Sequence, residues 1–370
     1  MKPNSSTQIL NTPPNSSIGE ISLFGPGIGE CVVLHTGDNN WVIVDSCLDP
    51  LTKKPVALEY LKSLGLDPNE VVTSLFISHW HSDHIAGAYE ILKTCQSANI
   101  YISEALKSNE MLHLKNIFKD DPFTGLDKEI KEFKQIINFL KETNRPDRLH
   151  VVSSGKLILD KNLSFRVKIV SLSPSDAAVV QAITTIGNKI PKPKTKRRSN
   201  AIPQSPNLNA IALHLSFGNI SLLLGSDLEN SSNIHTGWEA IFTQKLYQNL
   251  SLDKSIIFKV SHHGSSTSHN EKVWTDLLDA DPISITTTYT RSSLPTPSDI
   301  SRISSRSSKF FITRDPQKKK KLSRESMIEK ELKVIGIEKY AINDAIGHIQ
   351  IRFSDSSIIS HGKNQTVLEI

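Results

Sequence analysis

Short apolar runs separated by glycine and turn residues open the chain, at residues 21–24, 30–34 and 41–44, the last ending in Asp45. Gly37-Asp38-Asn39-Asn40 is turn chemistry, so the segment predicts an antiparallel meander that delivers a carboxylate at its end. Residues 55–64 carry an amphipathic helical pattern. Residues 71–78 form a continuous apolar and β-branched run that reads as a buried strand, and residues 85–92 read as the start of a helix. Ile130, Phe133, Ile136, Ile137 and Leu140 recur at helical spacing between 127 and 143, and residues 104–118 are read as helical too. Strand patterns resume at 148–152, 156–159, 165–170, 210–217, 221–225, 256–260, 283–287 and 348–353. Strands alternating with helices predict an α/β protein.

At 370 residues the chain fits one large domain with additions. Residues 1–19, polar and rich in Pro and Asn, read as a disordered tail without the apolar core of a signal peptide. The main body spans 20–315, and 316–370 form an extension that completes or packs on it. Residues 186–206 are basic, Pro-containing and nearly free of apolar side chains; they predict a flexible insertion containing Lys196, Arg197 and Arg198. A second basic run spans 318–321. The hydrophobic fraction of 38% has no stretch approaching the roughly 20 apolar residues of a membrane span. Three cysteines, Cys31, Cys47 and Cys95, without a paired motif fit a reducing, cytoplasmic setting. Net charge is a mild +5.

The densest chemistry is His79-Trp80-His81-Ser82-Asp83-His84, three imidazoles and a carboxylate at a strand-to-helix turn. Neutral imidazole and carboxylate are the ligands of Zn²⁺ and related ions. A lone histidine at a strand end is usually a surface or core residue, but this cluster is not explained by packing. Two later segments also run from an apolar strand into ligand-competent residues: 221–227, ending in Asp227, and 255–265, ending in His262-His263-Gly264-Ser265. A strand-end aspartate can bridge two ions and a further histidine can close the second shell.

With these three segments the chain resembles the metallo-β-lactamase-fold hydrolases, through the HxHxDH pattern at 79–84, Asp45 and Asp227. Within them it is most similar to the hydrolase domain of ComEC-type competence proteins, through Gly27-Ile28-Gly29-Glu30, Asn207, Gly225-Ser226-Asp227 and His262-His263-Gly264-Ser265. The resemblance covers residues 20 to 310. It implies a four-layer αββα sandwich and two divalent metal ions, Zn²⁺ or Mn²⁺, held by His79, His81, Asp83, His84, Asp227 and His262. Asp83 and His263 would be catalytic, Asp83 steering the attacking water and His263 orienting substrate or shuttling a proton. Asp45, Asn207, Ser265, Lys196, Arg197 and Arg198 would support ligands or touch substrate. The third histidine that many relatives supply to the first metal has no counterpart: residues 171–174 lack one, His113, His150 and His214 are weak candidates, and Asn207 or water is left to fill the place.

The activity implied is a metal-dependent phosphodiesterase or nuclease acting on nucleic acid, within a bacterial antiviral defence system whose other proteins would be partners. The alternatives are a small-molecule hydrolase acting on a lactone, thioester or cyclic nucleotide, and a degenerate scaffold that binds a partner. The basic segments tilt the reading towards a polyanion.

Overall fold

The computed structural model describes residues 8–106, 127–187, 206–244, 250–317, 320–321, 340–341 and 346–370. Lys196, Arg197, Arg198, His113 and most of the 104–118 helix fall outside these residues; Glu104–Leu106 is a single 3₁₀ turn.

Two eight-stranded sheets carry the fold. The first is built from β1 (Gly19–Gly25), β2 (Cys31–His35), β3 (Trp41–Val44), β4 (Val72–Ile77), β5 (Asn99–Ser103) and β6 (Leu149–Val152). The second comprises β7 (Leu157–Asn162), β8 (Arg166–Ser171), β9 (Leu213–Phe217), β10 (Ile220–Leu224), β11 (Ser255–Lys259), β12 (Leu278–Thr286) and β13 (Lys309–Ile312). A two-stranded ribbon pairs β14 (Lys320–Lys321) with β15 (Tyr340–Ala341). The C-terminal strands then divide between the sheets: β16 (Gly347–Phe353) and β17 (Ile358–Lys363) extend the first beside β1, and β18 (Leu368–Glu369) caps the second beside β13.

Period-2 alternation explains the layering. Ile21, Leu23, Val32, Leu34, Val42, Val44 and Phe76 meet Ile169, Leu215, Leu222, Leu224, Ile257, Ile285 and Phe311 in the core between the sheets. The opposite faces bury Trp41, Ile43, Leu75 and Ile77 under the helices Val56–Ser63, Ala88–Thr94 and Asp127–Glu142. On the far side, Leu223, Phe258, Phe310 and Ile312 pack under Gly237–Thr243 and Pro297–Ser304 with Trp238, Ile241 and Ile303. This is the four-layer αββα sandwich expected from the sequence.

Both sheets mix pairings. The opening meander β1–β2–β3 is antiparallel as expected, and β3 to β6 are parallel; in the other sheet β10 to β13 are parallel. The carboxyl ends of the parallel strands lie along one rim, where α/β folds place their sites.

Two expectations change. The tail does not extend to residue 19: the Leu10 N–H donates to Gln350 Oε1 at 2.9 Å, and the Arg352 guanidinium donates to the Thr12 carbonyl. Those partners lie on β16, which the sequence alone does not place beside the N-terminus. The helix after the histidine cluster is interrupted, because Ser82–Ile85 ends before Gly87, whose φ of 85° starts a separate helix at Ala88. The described C-terminal strands β16, β17 and β18 join the two sheets.

Candidate metal centre

Four strand ends converge. Asp45 follows β3, residues 78–84 follow β4, Asp227 follows β10, and His262 and His263 follow β11. Asp45, Ser226, His262 and His263 all have positive φ, between 45° and 61°. L-residues adopt this region at a cost, so the surrounding structure must hold it.

The histidine rings are oriented from behind. The Ser78 hydroxyl donates to Asp45 Oδ2 at 2.6 Å, so at 3.0 Å it accepts the His79 Nδ1–H. Ser226 donates to the same hydroxyl oxygen at 2.7 Å. Asp45 Oδ1 accepts the Ser78 N–H at 2.7 Å, and its Oδ2 accepts the His84 Nδ1–H at 2.8 Å. With Nδ1–H held outward in each ring, Nε2 of both histidines turns inward.

The inward atoms form two groups joined by Asp227. Asp83, His84, Asp227 and His263 make one; His79, His81 and Asp227 make the other. His84 Nε2 lies 3.4 Å from Asp227 Oδ1 and 3.7 Å from Asp83 Oδ2. His263 Nε2 lies 3.4 Å from Asp83 Oδ2 and 3.6 Å from Asp227 Oδ2. Ligands 2.0–2.2 Å from a tetrahedral ion stand about 3.3–3.6 Å apart, which these separations approach. His79 Nε2 and His81 Nδ1 are 3.0 Å apart, two ring nitrogens aimed at a common point. The buried His84 Nε2 and Asp227 Oδ1 have no hydrogen-bond partner among the described residues. Buried polar atoms are normally satisfied, so a donor set with orphaned atoms at these spacings fits a divalent cation.

The charge pattern agrees. Burial opposes ionisation of His84, yet the carboxylates of Asp227, Asp45 and Asp83 outweigh it and raise its pKa well above the usual imidazole value. Burial likewise works against the Asp227 and Asp83 carboxylates, but His84 and His263 hold both below the ordinary range. Burial, with His84 and His81 nearby, drives His79 towards the neutral form that a metal needs.

The paired histidines exchange their expected places. His263, not His262, joins Asp83, His84 and Asp227. Ser261 is extended, but the next two residues both turn left-handed, so the chain coils rather than alternates. His262 instead faces the rim, its Nδ1 3.0 Å from Glu229 Oε1 and 3.1 Å from the Thr267 hydroxyl. Asn207 Nδ2 lies 3.3 Å from His262 Nε2, and Asn207 Oδ1 is buried without a partner among the described residues. Ser265 spends its hydroxyl in its own turn, accepting the Thr267 N–H at 3.3 Å. His214 binds the Asp253 carbonyl and His150 stacks on Tyr101; neither joins a ligand group.

Sequence reading gave no role to Ser78, Glu229, Tyr289, Thr287 or Lys259, and named Ser226 and Glu30 only as members of motifs. Tyr289 stacks on His263 with ring centroids 5.0 Å apart. Lys259 was the detectable one, a lone charge inside an otherwise apolar strand.

The family model described as the metallo-beta-lactamase superfamily matches residues 24–180, which include β3, β4 and the histidine turn. Over those residues the chain is similar to that superfamily, and its two large sheets with outer helices are consistent with the metallo-β-lactamase sandwich. A search of curated proteins found no match. Among solved structures, the chain is similar to the metallo-beta-lactamase SMB-1 bound to 2-mercaptoethanesulfonate, at 11% identity and a TM-score of 0.35, covering 71% of this chain and 86% of that one. It is similar to the metallo-beta-lactamase fold protein YhfI from Bacillus subtilis at 11% identity and a TM-score of 0.34, covering 72% and 84%. The hydrolase AbOPH of the beta lactamase superfamily gives 13% identity and a TM-score of 0.36, with coverages of 65% and 84%. The rim of parallel strand ends carries the His/Asp cluster, and no helix among the described residues is long and apolar enough to cross a membrane.

Proposed function

We propose that the protein is a metal-dependent hydrolase with two divalent ions, Zn²⁺ or Mn²⁺, acting as a phosphodiesterase or nuclease on nucleic acid. The observation that carries the proposal is the donor geometry: two groups of inward ring nitrogens and carboxylate oxygens sharing Asp227, with orphaned buried atoms at His84 and Asp227. In this reading His79, His81 and Asp227 hold one ion, and Asp83, His84, Asp227 and His263 the other.

Ions held there would supply hydroxide near neutral pH and withdraw charge from a phosphoryl group. The protein's own residues do the rest. Asp45 and Ser78 fix the rings of His84 and His79. Asp83, the least buried of the carboxylates in the cluster, faces the opening and steers the attacking water. His262 stands at the rim with Nδ1 turned to Glu229, where it positions the substrate or carries a proton. Asn207, beside it, is the candidate to complete the first ion's shell.

Support for a nucleic-acid substrate comes from the sequence: the basic stretch containing Lys196, Arg197 and Arg198, the run at 318–321, and the ComEC-like order of motifs. Phosphate contacts of this kind make binding steeply salt-dependent. The three cysteines without a paired motif support a cytoplasmic setting, and in this reading the protein acts within a multi-protein defence system.

The test pairs elemental analysis with cleavage of labelled single- and double-stranded DNA and RNA, and of a generic phosphodiester, across salt concentrations. Reversing the charge of Lys196, Arg197 and Arg198 should abolish cleavage of nucleic acid and spare the generic substrate. Cleavage of the generic substrate alone by the wild type would favour a small-molecule hydrolase. Absence of bound metal after purification without chelator would sink the hydrolase reading.

A further inference from the structure

Beneath the second ligand group lies a buried ion pair that no ligand assignment uses. Lys259 and Glu30 come from β11 and the loop before β2, and their side chains are 1% and 2% exposed. The Lys259 ammonium contacts Glu30 Oε1 and donates to the Ser226 carbonyl at 2.9 Å. Glu30 Oε2 accepts the Thr287 hydroxyl proton at 2.7 Å. Thr287, at the end of β12, is fully buried, and its oxygen lies 2.8 Å from His263 Nδ1. The Glu30 N–H also donates to the Asp83 carbonyl at 2.9 Å.

The direction of each bond follows from the donors available. A carboxylate flanked by an ammonium is ionised and only accepts, so the Thr287 proton points to Glu30. Thr287 can then only accept from His263, which places the imidazole proton on Nδ1 and the lone pair on Nε2, facing Asp83 and Asp227. An isolated buried pair contributes little stability, because desolvation offsets attraction. This pair does more: by backbone or side chain it touches the segments that carry Asp83, Asp227 and His263.

We propose that the Lys259–Glu30 pair, acting through the Thr287 hydroxyl, is a positioning device that fixes the tautomer of His263 and the loops of Asp83 and Asp227 for cation binding. This rests on the reading of the cluster as a metal centre.

The decisive variants are Thr287→Val, which keeps shape and removes the hydroxyl, and Thr287→Ser, which restores it. Each full-length protein is titrated with Mn²⁺ or Zn²⁺ against a competing chelator, with thermal melting to confirm folding. Outer-shell partners of metal-bound histidine typically change affinity 10–100-fold. Thr287→Val should weaken one of the two ions by that factor and leave the other unchanged, while Thr287→Ser stays within about threefold of the wild type. Nitrogen-15 spectra of the metal-free protein should show the His263 Nδ1-protonated form in the wild type and in Thr287→Ser, and a mixture in Thr287→Val. Unchanged affinities in Thr287→Val overturn the proposal, as does equal weakening in both variants, which would reveal a packing effect. If the wild type itself binds no ion, the metal reading fails first, and that failure is visible without any variant.

Discussion

Asp45 and His84, thirty-nine residues apart, share a buried hydrogen bond of 2.8 Å between carboxylate Oδ2 and ring Nδ1. It joins the end of the meander to the histidine turn, and it is the reason His84 turns Nε2 towards Asp83 and Asp227. Asp45→Asn replaces an acceptor with a group that must point its amide donor at either Ser78 or His84. The expected outcome is a 10–100-fold loss of affinity for one ion and about 1–3 kcal/mol of lost stability, measured by chelator competition and denaturant unfolding.

Asp227 belongs to both ligand groups, whereas Asp83 belongs to one. Asp227→Ala should therefore release both ions and Asp83→Ala only one. Elemental analysis of the two purified variants checks this. Equal metal content in the two would contradict a shared role for Asp227.

Gly29 lies on the loop that carries Glu30, with φ at 115°, and an added Cβ there would sit 2.7 Å from the Cys47 Cβ. Gly29→Ala meets both a disallowed backbone region and an unyielding neighbour. It should cost about 1–3 kcal/mol. Because the Glu30 N–H holds the Asp83 carbonyl, metal affinity should fall as well. Unfolding midpoints and metal titration of the same preparation separate the two effects.

His348 on β16 stacks against Phe24 with centroids 4.2 Å apart, and burial lowers its pKa from 6.5 to about 3. The folded state thus keeps the ring neutral where the unfolded chain protonates it. In that window the unfolded state binds more protons, so stability falls as pH drops below 6.5, by at most about 1.4 kcal/mol per unit. Above 6.5 the contribution is fully present. His348→Gln should flatten the slope of unfolding free energy between about pH 4.5 and 6.5, read as the difference from wild type.

What the sequence revealed follows the range of the interactions involved. The histidine turn, Asp45 and Asp227 are local patterns at strand ends; the strand and helix patterns gave only an α/β protein, and the sandwich came from the resemblance those motifs carry. The inward choice of His263 over His262 depends on two positive φ angles, which residue identity does not disclose. Glu30, Lys259 and Thr287 are separated by more than two hundred residues at their extremes, and the Thr287–Glu30 bond spans 257. No short motif encodes it. The short strands β13, β17 and β18 were also missed; β17 and β18 are the outer strands of their sheets.

The position of β16 has a further consequence for how the molecule comes into being. β1 is flanked by β2 on one side and β16 on the other. During synthesis the opening strand therefore waits with one backbone ladder unpaired while more than three hundred residues emerge, and exposed ladders invite pairing with foreign chains. A ribosome stalled before residue 347 would release a chain whose first sheet still has an adhesive seam, which makes the last stretch of translation the step most exposed to aggregation.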